Sequence, residues 1–156
     1  MGAVMPLEQV ARILPPRGAL IGLDLGEKTI GVASCDPDRR LATGVQTIAR
    51  SKFTGDAAIL NEIAGARGAV GFVLGLPLNM DGSEGPRCQA ARAFARNLAQ
   101  LQPLPIALWD ERLSSVAVER MMVEADLSRA RRAELVDKLA ASYILQAYLD
   151  WIAGQA

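Results

Sequence analysis

The sequence predicts an α/β domain with a mixed sheet flanked by helices. Three observations carry this. Near-continuous apolar runs of strand length occur at 19–25 and 69–75, apolar residues recur at helical spacing in several longer stretches, and turn residues separate these segments in the order βββαβαβα(α). No internal repeat or low-complexity tract interrupts that order, and five strands are expected.

The run at 19–25 is apolar apart from Asp24 and is bounded by Gly26, as for a buried strand. Gly26, Glu27 and Lys28 turn the chain into a second strand at 29–34, and Asp36, Pro37 and Asp38 turn it into a third at 41–48, which gives an antiparallel opening of three strands. Ala57, Leu60, Ile63 and Ala64 mark a helix over 56–67, closed by Gly68. The strand at 69–75 then requires a parallel crossover. Pro86 suits the first position of a helix whose stripe is Ala91, Phe94, Ala95, Leu98 and Leu101. A fifth strand at 106–109 ends in Asp110 and Glu111. Ser114 or Ser115 can cap a helix with Val118, Met121, Met122 and Ala125 inward, and after Leu127 and Ser128 a last helix of about twenty residues follows. On it Val136, Ala140, Tyr143, Ile144, Ala147 and Trp151 face the core. Residues 1–18, with Pro6, Pro15 and Pro16, form a lead-in segment before a domain at 19–153.

Composition removes whole classes of function. The 156 residues contain no histidine, so a Ser-His-Asp or Cys-His nucleophile pair and the usual His-containing catalytic zinc sites are excluded. Catalysis must run on carboxylates, lysine, hydroxyls, thiols or bound metal. The two cysteines, Cys35 and Cys88, are far apart and form neither a disulfide framework nor a thiolate metal site. That fits a reducing, cytoplasmic setting. No apolar run approaches the roughly 20 residues of a membrane span, and the first residues lack a signal-peptide pattern. With 17 basic and 17 acidic residues the chain is not a non-specific DNA-coating protein, although a local basic patch is compatible with these totals.

Open α/β sheets place their sites at the carboxyl ends of strands. Asp24 ends the first strand, Gly75 to Asn79 follow the fourth, and Asp110, Glu111 and Arg112 follow the fifth. An acid at the end of a buried strand is costly unless it is paired, exposed at the rim or bound to metal. Asp137 borders the apolar stripe of the last helix, sharing a face with Ala140, Ala141 and Ile144; the plain alternative is a first-turn acid favoured by the helix dipole. If the acids converge, they form an oxygen-only cluster of the kind that holds Mg²⁺ or Mn²⁺. Two such ions about 3.5–4 Å apart support phosphodiester hydrolysis without imidazole.

These segments resemble the YqgF/RuvX family of Holliday-junction-resolvase-like nucleases in the ribonuclease H-like superfamily. The resemblance spans residue 20 to about 152 and rests on four motifs in order: 21–33 with Asp24, Gly26 and Lys28; 75–87 with Pro77, Asn79, Gly82 and Arg87; 110–114; and 137–141 followed by Ile144, Leu145 and Gln146. The second is the most specific. Two positions depart from the family pattern, Thr29 where an arginine is common and Cys35 where a serine is common.

The resemblance implies a ribonuclease H-like fold and a metal-dependent hydrolase of phosphodiester bonds, linked to the 5′ end of the small-subunit ribosomal RNA precursor. Asp24, Glu111 and Asp137 match the family's acids and are the candidate catalytic and metal-holding residues. Asp110 is the rival of Glu111, because adjacent strand residues face opposite ways. Lys28, Asn79, Arg87 and Arg112 are candidate nucleic-acid contacts. Each has a plain alternative: a solvated lysine, a turn and helix cap for Asn79 and Arg87, and for Arg112 an ion pair with Asp110 or Glu111. Arg129, Arg131 and Arg132 are a further basic run at a helix start. Trp109, Tyr143, Tyr148 and Trp151 follow apolar patterns and are read as core or partial surface, and the cysteines as inert.

Two other activities remain open at this level: resolution of branched DNA, and binding of RNA in ribosome assembly without catalysis. A sugar-kinase or actin-like fold also begins with Asp-x-Gly and a hairpin, but the chain is too short for its two duplicated halves. Precursor ribosomal RNA and a Holliday junction both fit as substrate, and monomer and homodimer both fit as the assembly.

Overall fold

The computed structural model describes residues 2–113 and 129–155, with side chains from residue 139 onward in the second stretch. The predicted helix beginning at Ser114 or Ser115 lies outside the described residues.

The elements are β1 (Val4–Met5), α1 (Leu7–Ile13), β2 (Ala19–Leu25), β3 (Thr29–Cys35), β4 (Ala42–Ala49), α2 (Phe53–Ala66), β5 (Ala69–Leu76), α3 (Pro86–Leu101), β6 (Ile106–Asp110), a single 3-10 turn (Glu111–Leu113) and α4 (Arg129–Ala153). They form one mixed sheet in the order β1-β6-β5-β2-β3-β4. Pairs β2/β3 and β3/β4 are antiparallel, and β2/β5 and β5/β6 are parallel. This is the antiparallel opening with parallel crossovers read from the sequence, but the sheet has six strands, not five. The additional strand is β1, which pairs in parallel with β6 through Val4 opposite Ile106 and Met5 opposite Ala107. Two residues are too few to show alternation.

Strand alternation divides the core into two layers. Ile21 and Leu23 of β2, Ile30 and Val32 of β3, Phe72, Leu74 and Leu76 of β5 and Ile106 of β6 pack against α2 and α3. Leu20, Ala33, Val73, Ala107 and Trp109 face the other way and pack with Ala140, Ala141, Ile144, Leu145 and Tyr148 of α4. The apolar periods of α3 and α4 are therefore the two sides of a three-layer sandwich.

Helix α2 begins at Phe53, three residues before the start read from the sequence. Phe53 meets Phe94 of α3 edge to face at 5.2 Å, so packing extends the helix backward. Asp56, buried in the first turn, accepts hydrogen bonds from the Ser51 amide and hydroxyl and satisfies that end. Among the described residues no helix is long and apolar enough to cross a membrane.

Candidate functional site

Asp24 is the penultimate residue of β2, at 3% exposure. Alternation sets it on the α4 side of the sheet with Leu20 and Gly22, since Ile21 and Leu23 belong to the opposite layer. The same parity places the last residue of β6. Leu108 packs into the α2/α3 layer and Trp109 into the α4 layer, so Asp110 follows Leu108, and Glu111 opens the 3-10 turn beyond the strand.

Two glycines create room for this arrangement. A Cβ on Gly75 would lie 2.6 Å from Glu111 Oε1 and 2.5 Å from Ile144 Cδ1, so the Glu111 carboxylate occupies the space left by the missing side chain. Leu23 of β2 pairs with Leu74 of β5, the residues before Asp24 and Gly75 respectively. Glu111 thus leans from the end of β6 across β5 toward the strand that carries Asp24. A Cβ on Gly22 would lie 2.9 Å from the Ala141 carbonyl oxygen and 2.7 Å from Leu145 Cβ, so α4 seats directly on the β2 backbone.

Asp137 lies within α4, and its side chain is outside the described residues. Among the described residues no group of three acidic, cysteine or histidine side chains could hold a metal ion. The chemistry of Asp24 and Glu111 nonetheless suits one. Both supply only carboxylate oxygen, the ligand preferred by Mg²⁺ and Mn²⁺, and the Glu111 carboxylate lies in the hollow that a single Cβ at Gly75 would fill.

The other candidates ring the strand ends. Lys28 is exposed in the β2/β3 turn. Asn79 shapes the loop after β5. Its amide nitrogen donates to Ser83 Oγ at 3.0 Å, and its carbonyl accepts from Gly82, which has φ +89 as its glycine allows. Asp81 closes the same loop, and the Ser83 hydroxyl and amide donating to it hold its carboxyl below the usual range. Arg87 lies in the first turn of α3, where its Nη2 reaches the Leu25 carbonyl at 3.5 Å. Arg112 pairs with Asp110 at 2.7 Å and holds that carboxyl below its ordinary value. Of the two partners open to it on sequence grounds, Arg112 forms its ion pair with Asp110.

Arg50 was not singled out by sequence. Its Nη1 donates to the Gly26 carbonyl at 2.7 Å, its backbone N–H donates to the Lys28 carbonyl at 2.9 Å, and its guanidinium lies 5.9 Å from the Phe94 ring centroid. It follows β4 with no motif around it. The only available signal was that a third antiparallel strand must return to the Gly26 turn. Burial raises the thiol pKa of both Cys35 and Cys88, which fits unreactive cysteines. Trp109 and Tyr148 are buried, and Tyr143 and Trp151 pack partly buried against the α4 layer.

Comparisons with known proteins converge on this architecture. A protein of Nitrobacter hamburgensis named "Putative pre-16S rRNA nuclease" is 65% identical over 97% of this chain and 93% of its own. A protein of Rhodopseudomonas palustris strain TIE-1 with the same name is 64% identical over 97% of this chain and 94% of its own. The structure of Thermus thermophilus RuvC in complex with Holliday junction substrate superposes with a TM-score of 0.55 over 86% of this chain and 96% of that one. At 11% identity that likeness shows the α/β, ribonuclease H-like fold alone. The model of the family described as "RuvX: Holliday junction resolvase" matches residues 18–151. With that match and such relatives, the chain belongs to the RuvX family.

Proposed function

We propose that this protein is a Mg²⁺- or Mn²⁺-dependent nuclease that hydrolyses phosphodiester bonds in precursor 16S ribosomal RNA, the substrate in the names of its relatives. The observation that carries the reading is the Glu111 carboxylate seated over Gly75, on the sheet face that holds the buried Asp24. Asp24, Glu111 and Asp137 hold the metal. Support for Asp137 comes from register. Helix α4 crosses Gly22 at Ala141, and Gln146 donates to the Arg40 carbonyl and accepts from the Ala42 amide, at the opposite end of the sheet from Asp24. The helix therefore runs toward Asp24 in the N-terminal direction. Position 137 precedes Ala141 by one turn, about 6 Å of rise, and Asp24 lies two strand residues beyond Gly22, about 6.7 Å.

Bound metal would supply an activated water and neutralise the scissile phosphate. The chain itself fixes the carboxylates, buries Asp24 and presents cations to the substrate. Lys28, Arg50 and Arg87 lie around the backbone of Leu25 and Gly26, with Asn79 on the adjoining loop, and they contact substrate phosphates.

The test compares wild type with Asp24→Asn on precursor 16S ribosomal RNA and on a four-way DNA junction, with Mg²⁺, with Mn²⁺ and with chelator. Cleavage of the RNA should require metal and fall more than about 100-fold in the variant, exceeding the loss typical of residues that only support ligands. Turnover of the junction alone would assign the activity to branched DNA. Saturable RNA binding without cleavage in either metal would leave a binding module, and unchanged metal-dependent turnover by Asp24→Asn would remove the proposed site.

A further inference from the structure

Glu111 is the middle residue of a clasp. Its two neighbours hold each other: the Arg112 amide donates to Asp110 Oδ1 at 2.9 Å, Arg112 Nε donates to both carboxylate oxygens at 3.1 and 3.2 Å, and Nη2 donates to Oδ2 at 2.7 Å. This ring closes on the α2/α3 side of the sheet. The Glu111 side chain leaves it on the other side, where Gly75 gives it room.

The guanidinium has a second attachment. Arg112 Nη1 donates to the Met80 carbonyl at 3.2 Å, and a Cβ on Gly82 would lie 3.5 Å from the same nitrogen. One arginine thus joins the end of β6 to the loop after β5, both of which border the hollow. Its planar fork can grip the carboxylate and the carbonyl at once, which a lysine ammonium cannot reproduce. Isolated ion pairs this close to solvent add little to stability, so the geometry of the clasp needs another consequence.

We infer that Asp110 and Arg112 are positioning residues: their pair sets the backbone of Glu111 so that its carboxylate meets the metal, and it fixes the loop around Asn79 beside that carboxylate. The inference rests on the proposed metal-dependent reading. It also resolves the rivalry of the two adjacent acids, Glu111 serving as ligand and Asp110 as its support. Partners of this supporting kind typically contribute 10- to 100-fold to metal affinity.

The test uses the full chain, with Mn²⁺ binding measured by titration calorimetry, thermal unfolding as the control, and RNA affinity measured without metal. Asp110→Asn and Arg112→Gln should each weaken Mn²⁺ binding about 10- to 100-fold. The double variant should be no worse than the weaker single, because both break one clasp. RNA affinity without metal should fall by less than Mn²⁺ affinity does, while kcat falls. Arg112→Lys should behave like Arg112→Gln, and it carries the test if Asp110→Asn does not fold. Unchanged Mn²⁺ affinity in the folded variants, recovery by lysine, or a loss confined to RNA affinity would each overturn the inference. Glu111→Gln separates the two claims. If it binds Mn²⁺ like wild type, the metal reading itself falls; if it loses Mn²⁺ while Asp110→Asn and Arg112→Lys do not, the clasp alone falls.

Discussion

The two faces of the sheet are built from different materials. The face toward α2 and α3 is filled by Ile21, Leu23, Phe72, Leu74 and Ile106, large side chains that keep the helices at a distance. The face toward α4 has Gly22, Ala33, Gly75 and Ala107 among its central positions, and the helix backbone comes down onto the strands. Asp24 and Glu111 of the candidate site belong to this second face. The contrast separates two tasks: bulk on one side stabilises the domain, and missing bulk on the other makes space for polar groups inside it.

Substitutions can break that division, in order of expected effect. Phe72→Ala, in the bulky layer, should lower stability by about 3–5 kcal/mol in urea unfolding, while the folded fraction keeps wild-type Mn²⁺ affinity. An equal loss of metal binding would mean that the faces are not independent. The two glycines should then part company. Gly22→Ala meets the backbone oxygen of Ala141 and must move α4, so it should cost about 1–3 kcal/mol. Gly75→Ala meets the ends of Glu111 and Ile144, which can swing away. It should change thermal stability less but reduce Mn²⁺ affinity about 10-fold, within the range for supporting residues. The smallest effect belongs to Arg50→Gln. If Arg50 touches one phosphate, RNA affinity should fall and its dependence on log salt should flatten by about one unit, with Mn²⁺ affinity unchanged.

Much of this was legible in the sequence, and what was missed has definite causes. Strands β2 and β5 are continuous apolar runs because both of their faces are buried, and the period of α3 is that of a helix lying on a sheet. The acids stood out because a charge at the end of such a run is costly. Alternation alone separated Asp110 from Glu111, but it could not say which of them turned toward Asp24. That depends on the parity of β6 against β5, a relation between residues 34 or more positions apart in the chain. Gly75 was visible as part of a turn-rich motif. Its use as a socket for Glu111 appears only when β6 lies next to β5. Arg50 carries no local signal at all, because its partners Gly26 and Phe94 come from different elements.

The two-residue strand β1 has a consequence for the order of assembly. Its partner is Ile106, and the Gly2 amide is bonded to the carbonyls of Ala99 and Gln102. Residues 2–5 therefore have no seat until α3 and β6 have been made. Closing a loop of about a hundred residues carries an entropic cost that nearer contacts do not. Until it closes, the outer edge of β6 presents unpaired amides and carbonyls to any extended segment nearby. Strand β1 thus acts as a late seal on the domain, covering the edge of the strand that ends in the acids.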